Sequence, residues 1–143
     1  MTVACILAAK GRDVVTTEPH RTLDEAAGIL MARNIGSAVV ADAQGRVLGI
    51  LSERDIVHAI GKGGAARLND AVSKHMTSEV LTTYEDETVD RTMEKMTHRR
   101  CRHLPVVENG KLAGIVSIGD VVKYRLEQLE NEHQAMREYI ATA

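Results

Sequence analysis

The chain has 143 residues, 44% of them hydrophobic and 27% charged, with a formal net charge of −2. One compact unit of this length buries roughly 68–70% of its unfolded surface, and the near-neutral charge without a long basic run argues against a nucleic-acid groove. There is no Trp, no Phe and only three Tyr, so the aromatic platforms of base-stacking RNA binders are missing and the core must be Val, Ile, Leu, Met and Ala.

The N-terminal "MTVACILAAKG" predicts a short helix with Val3, Ile6 and Leu7 on one face. No charged region precedes its apolar residues and Lys10 interrupts them, so it reads as structure and not as a targeting signal. "DVVTT" predicts a short strand. Thr22 is placed as a helix N-cap, with Glu25 completing a capping box. Leu23, Ala26, Ala27, Leu30 and Met31 then share one face at helical spacing. "SAVVA" and "RVLGIL" are two strands joined by a Gly-containing turn, a β-hairpin. A further helix starts at Ser52. "GKGG", Gly61 to Gly64, lacks the Gly-Lys-Ser/Thr of a phosphate loop and is read as a connection.

The same order then returns. Leu68, Ala71 and Val72 mark a short helix, "EVLTT" a strand, and Thr88 an N-cap ahead of Val89, Met93 and Met96. "HLPVV" with "KLAGIV" form a hairpin, and a last helix begins at Ser117. Thr16 and Thr17 meet Thr82 and Thr83 at an offset of 66, which becomes 65 after the hairpin turns. The expected fold is therefore α/β (α+β): two small sheets with flanking helices, related by a pseudo-twofold axis, with two clefts at the seam. The expected boundaries are residues 1–66, 67–125 and a C-terminal helical extension, 126–143. In that last helix Val122, Leu126, Leu129, His133, Met136 and Ile140 are spaced 4, 3, 4, 3, 4. Such a stripe suits either packing on its own domain or subunit pairing, here expected to give a homodimer. No run approaches 18 apolar residues, so no membrane span is expected. Two cysteines, Cys5 and Cys101, make no disulfide framework, and a reducing, cytoplasmic setting is expected.

The nine residues "GILSERDIV", Gly49 to Val57, recur as "GIVSIGDVV", Gly114 to Val122. A serine that caps a helix, with an aspartate one turn on, puts a hydroxyl, free N–H groups and a carboxylate at one helix tip. That tip attracts anions, and the carboxylate can accept both hydroxyls of a ribose. Gly49 and Gly114 would admit backbone or ligand where a side chain would obstruct. Ser-x-x-Asp is equally an ordinary capping box.

These two stretches, each behind an apolar strand, a Gly-containing turn and a Thr-rich first strand, closely resemble the signature of CBS domains, which occur in tandem as the Bateman module. "NIGSAVV" and "CRHLPVV" also match the family's approach to the second strand. The resemblance implies clefts for adenine nucleotides or derivatives (AMP, ADP, ATP, NAD(H) or S-adenosylmethionine) in a stand-alone regulatory sensor of a still unidentified target protein. It gives the ribose to Asp55 and Asp120, and the phosphate to Ser52 and Ser117. It gives the adenine walls to Thr16, Ile35 and Ala38 in one half, with Gly36 also counted as nucleotide-binding, and to Thr82, Cys101 and Pro105 in the other. The halves differ. Arg54 precedes Asp55 where Gly119 precedes Asp120, whereas Arg102 and His103 replace Gly36 and Ser37, so each cleft is expected to own a phosphate cation from a different element.

His98, Cys101 and His103 form H-x-x-C-x-H without an evident fourth ligand, and no metal is expected. No nucleophile elbow, triad or convergent carboxylate pair is visible, so the chain is not expected to be an enzyme. The alternative reading is a structural or interaction protein with vestigial clefts, acting through its C-terminal helix.

Overall fold

The computed structural model describes residues 1–142 as a mixed α/β protein. In chain order it has α1 (Val3–Lys10), β1 (Thr16–Thr17), α2 (Leu23–Arg33), β2 (Ser37–Ala41), β3 (Val47–Ser52) and α3 (Glu53–Gly63). After two 3-10 turns, Ala65–Asn69 and Val72–Lys74, come α4 (Val89–Arg99), β4 (His103–Glu108), β5 (Lys111–Ser117) and α5 (Ile118–Thr142). The first sheet has the order β1-β2-β3, with β1 parallel to β2, and the second is the hairpin β4-β5.

Local chemistry sets these elements. Thr22 and Thr88 cap α2 and α4, their hydroxyls accepting the N–H of Glu25 and Arg91 at 3.1 Å each. Glu25 does not return the bond to the Thr22 backbone. Its carboxylate is held instead by Arg21, at 3.0 Å, and by the Thr22 hydroxyl. The second hairpin turns on Asn109 and Gly110, both with positive φ, the signature of a two-residue type I′ turn. The first needs a longer loop, in which Asp42 Oδ1 accepts the N–H groups of Gln44 and Arg46. This difference in loop length is the one-residue change in repeat offset.

The predicted strand "EVLTT" shrinks to a single bridge between Thr83 and Val106. In the first half Val39 N–H bonds the Val15 carbonyl and begins the ladder. Its counterpart is Pro105, which has no N–H to give. The helix expected around Leu68 to Val72 is likewise broken into the two 3-10 turns. On α2, Leu23, Ala26 and Leu30 are buried, but Met31 turns outward and is 80% exposed.

Two cores form, and each borrows a segment from across the repeat. Leu23, Ala26, Leu30, Ala38, Val40, Leu51, Ile56 and Ala59 pack with Val72, and Leu68 and Met76 lie against them. Val89, Met96, Leu104, Val106, Val116 and Val121 pack with Val3, Ile6 and Leu7 of α1. The chain's first helix therefore completes the second half, and the connection after α3 completes the first. The hairpins also meet at their turns, where Leu112 N–H donates to the Gly45 carbonyl at 2.9 Å.

This exchange explains the motif glycines. A Cβ on Gly114 would lie 2.8 Å from Leu7 Cδ2, and one on Gly49 would lie 2.7 Å from both Met76 Sδ and the Thr77 carbonyl oxygen. The space expected to serve backbone or ligand is filled by the borrowed segments. Overpacking of this kind costs about 1–3 kcal/mol. Gly114→Ala and Gly49→Ala are expected to lower the urea midpoint accordingly. Gly49→Ala should be the worse of the two, because a backbone carbonyl yields less readily than a leucine tip. Equal midpoints for wild type and both variants would contradict this packing.

Candidate functional site

Each candidate site sits where a hairpin's second strand runs into a helix. In the first half Ser37 lies opposite Ser52 across β2-β3, and Glu53 N–H donates to the Gly36 carbonyl at 2.9 Å. In the second, His103 lies opposite Ser117, and Ile118 N–H donates to the Arg102 carbonyl at 2.8 Å. Residues some 15 positions apart in sequence are thus cross-strand neighbours, with Cβ atoms within about 5 Å.

At the first helix tip the capping box is reciprocal. Asp55 N–H donates to Ser52 Oγ at 3.2 Å, and Ser52 N–H donates to Asp55 Oδ2 at 2.8 Å. The Ser52 hydroxyl also donates to the same Oδ2, at 3.0 Å. At the second tip Asp120 N–H donates to Ser117 Oγ at 3.1 Å and Ser117 N–H to Asp120 Oδ2 at 2.9 Å. Both carboxylates are therefore aimed by the backbone through Oδ2, and Oδ1 is left unspent among the described residues. The Ser52 proton is committed to the box, so a phosphate at Ser52 would have to displace it.

The remaining predicted residues distribute as follows. Thr16 is exposed on β1 and pairs with Val39. Ile35 packs on the first core and Cys101 on the second, both half-buried. Gly36, Arg54 and Arg102 are exposed. Thr82 is half-buried, and its carbonyl accepts Lys95 Nζ at 3.1 Å. Pro105 is buried. Ala38 is 2% exposed and packs into the first core. Side chains alternate along a strand, and the bridges Thr17–Val40 and Thr83–Val106 align Pro105 with Val39, not with Ala38. Val39, paired with Thr16, is the register equivalent of Pro105.

Sequence reasoning also missed Lys10. Its ammonium reaches Asp120 Oδ2 at 2.6 Å and the Ile115 carbonyl at 2.9 Å. No local pattern signals a contact across 110 positions; it follows from α1 crossing to the second half. Burial draws the Asp120 carboxyl upward, but the Lys10 ammonium and the Ser117 N–H outweigh it and hold it below the ordinary aspartate value. The His103 imidazole is pushed below its ordinary value by burial and then by Lys10. Burial raises the Cys101 thiol. Glu87 is only 3% exposed. It is a buried anchor, bonded by Thr83 Oγ1 at 2.7 Å and paired with Lys95 at 2.8 Å, and it fixes the lysine that holds Thr82. Among the described residues no group of three His, Cys, Asp or Glu side chains is placed to hold a metal ion.

The family model for the CBS domain matches residues 10–62 and again residues 71–127. The structure of a CBS-domain containing protein from Agrobacterium tumefaciens is 54% identical, covers 87% of this chain and 92% of that one, and superposes with a TM-score of 0.81. The CBS domain pair of protein MJ0100, solved with 5′-methylthioadenosine and S-adenosyl-L-methionine, is 28% identical over 90% of this chain and 98% of that one, with a TM-score of 0.78. A CBS domain protein from Pyrobaculum aerophilum, solved with AMP, is 28% identical over 84% and 89%, with a TM-score of 0.74. With both copies of the Ser–Asp tip in place and the family model matched twice, the chain belongs to the CBS domain family as a tandem pair.

Proposed function

We propose that this chain is a regulatory module that binds adenine nucleotides in two clefts, one at each Ser–Asp helix tip. The observation that carries this reading is the paired geometry of Asp55 and Asp120. Each is locked by its own serine N–H through one oxygen and keeps the other for a ribose diol. The structural relatives solved with AMP, 5′-methylthioadenosine and S-adenosyl-L-methionine support it, because adenosine is the group those ligands share. In the second cleft Arg102 and the Lys10 ammonium, the latter shared with Asp120, supply cations for a phosphate, with the neutral His103 ring beside them; in the first, Arg54 stands on the exposed first turn of α3. The module acts by binding and not by turnover: a nucleotide biases its partner through unequal affinity for two conformations. The target is an unidentified protein. No described helix is long and apolar enough to cross a membrane, and two free cysteines suit a reducing cytoplasm.

A second copy is the expected neighbour of α5. Val122, Leu126, Leu129, Met136 and Ile140 of the predicted stripe are all exposed, Leu126 at 61%. That stripe also favours the second reading, an interaction protein acting through this helix. Truncation after Lys123 is expected to turn a dimer into a monomer in sedimentation; an unchanged dimer would place the contact elsewhere.

Calorimetric titration with AMP should show at least one site. Charge-assisted hydrogen bonds are worth about 1.5–3 kcal/mol each, so Asp55→Ala and Asp120→Ala should each weaken one site tenfold or more. Binding unchanged in both variants would remove the assignment.

The depressed His103 gives a further check. A folded-state value below 6.5 means that the fold favours the neutral ring. Its contribution to stability is present above the unfolded value and is lost as pH falls through it. By NMR, His103 should titrate below the ordinary histidine value. Lys10→Met and added AMP should both raise it, the first by removing a cation and the second by adding an anion. A His103 indifferent to both would contradict the second cleft.

A further inference from the structure

The face of α3 that carries Asp55 also carries His58 and Lys62, three and seven positions on. The chain then folds back over this face, because Leu68 and Val72 are drawn into the first core. The result is a pocket of about 310 Å³ walled by Asp55, His58, Lys62, Arg67, Lys74 and His75. Its charge is uneven. Asp70 answers Arg67 at 3.4 Å and His75 at 2.8 Å, but Lys62 and Lys74 have no carboxylate partner among the described residues. Arg67 lies across Gly63, so its guanidinium is seated against the helix end.

We infer that this pocket receives the di- or triphosphate chain of an adenine nucleotide whose ribose is held by Asp55, making the first site selective for polyphosphates; this rests on the reading of Asp55 given above. The pocket begins at the diol-accepting carboxylate and continues to Lys62 and Lys74, which hold no salt bridge among the described residues, so a ribose and then a phosphate chain meet groups of matching charge. Ser52, the expected phosphate ligand, has its proton engaged in the capping box. The second site has no such wall. At the repeat offset of 65, Glu127 stands where Lys62 stands, and α5 runs on without a segment folding back. The Lys10 ammonium there is already paired with Asp120. The first site thus takes longer phosphate chains, and the second takes a monophosphate or an uncharged nucleoside.

The test titrates ATP and AMP into the full chain carrying Asp120→Ala, so that the first site is read alone. ATP should bind about tenfold tighter than AMP, and the preference should shrink with added salt. Adding Lys62→Ala and Lys74→Ala, both exposed and outside the cores, should bring the ratio towards one while the thermal midpoint holds. A Gly63→Ala variant, which displaces Arg67, should lower the ratio part of the way. Equal ATP and AMP affinities in the single variant, or a preference that survives the lysine changes, would overturn the inference while leaving nucleotide binding at Asp55 standing. Loss of all binding on further adding Asp55→Ala supports the shared site. Absence of any nucleotide binding before that change would overturn this inference and the parent reading together.

Discussion

The structure turns on one local exchange, made twice: a serine N–H at the end of a strand donates to the carboxylate three residues ahead, and that residue's N–H donates back to the serine hydroxyl. The box ends a strand and starts a helix at a fixed angle. It also uses one carboxylate oxygen of Asp55 and of Asp120 and leaves the other in a fixed direction. The two readings of Ser-x-x-Asp, cap and ligand site, are therefore compatible. The cap is the device that orients the acceptor, and it does so before any ligand arrives, which spares the ordering cost that binding otherwise incurs.

What surrounds the two tips is set by a second constraint, the exchange of segments between halves. Neither hairpin with its two helices encloses a core alone; α1 and the connection after α3 each close the other's gap. Gly114 and Gly49 are the contact points, admitting Leu7 on one side and Met76 with the Thr77 carbonyl on the other. This exchange also creates the difference between the clefts. Because α1 crosses over, Lys10 arrives beside Asp120. Because the connection folds back, Arg67, Lys74 and His75 arrive beside the α3 face that bears Asp55. A duplicated motif thus acquires unequal electrostatic surroundings.

Much of this was legible in the sequence because the signals are local. Alternation and turn residues gave the hairpins, and the threonines gave the caps. The repeat gave the two helix tips. The errors came from interactions that local patterns do not carry. Ala38 and Pro105, offered as matching walls of the two halves, stand one position apart in register, and in a strand one position means the opposite face. The loss of the "EVLTT" strand followed from Pro105 lacking a donor, which was readable only once Pro105 was aligned with Val39. Met31 lay on the edge of its helical face, and no spacing rule separates such an edge from the core. Lys10, Glu87 and the cations around α3 depend on contacts made by segments crossing between halves, and no motif marked them.

A structure of the protein crystallised with AMP tests the central claim most directly. The account predicts the ribose hydroxyls within hydrogen-bond distance of the free oxygen of Asp55 or Asp120, with the serine boxes intact. AMP seated away from both carboxylates, or bound with the boxes broken and the aspartates turned aside, would contradict it.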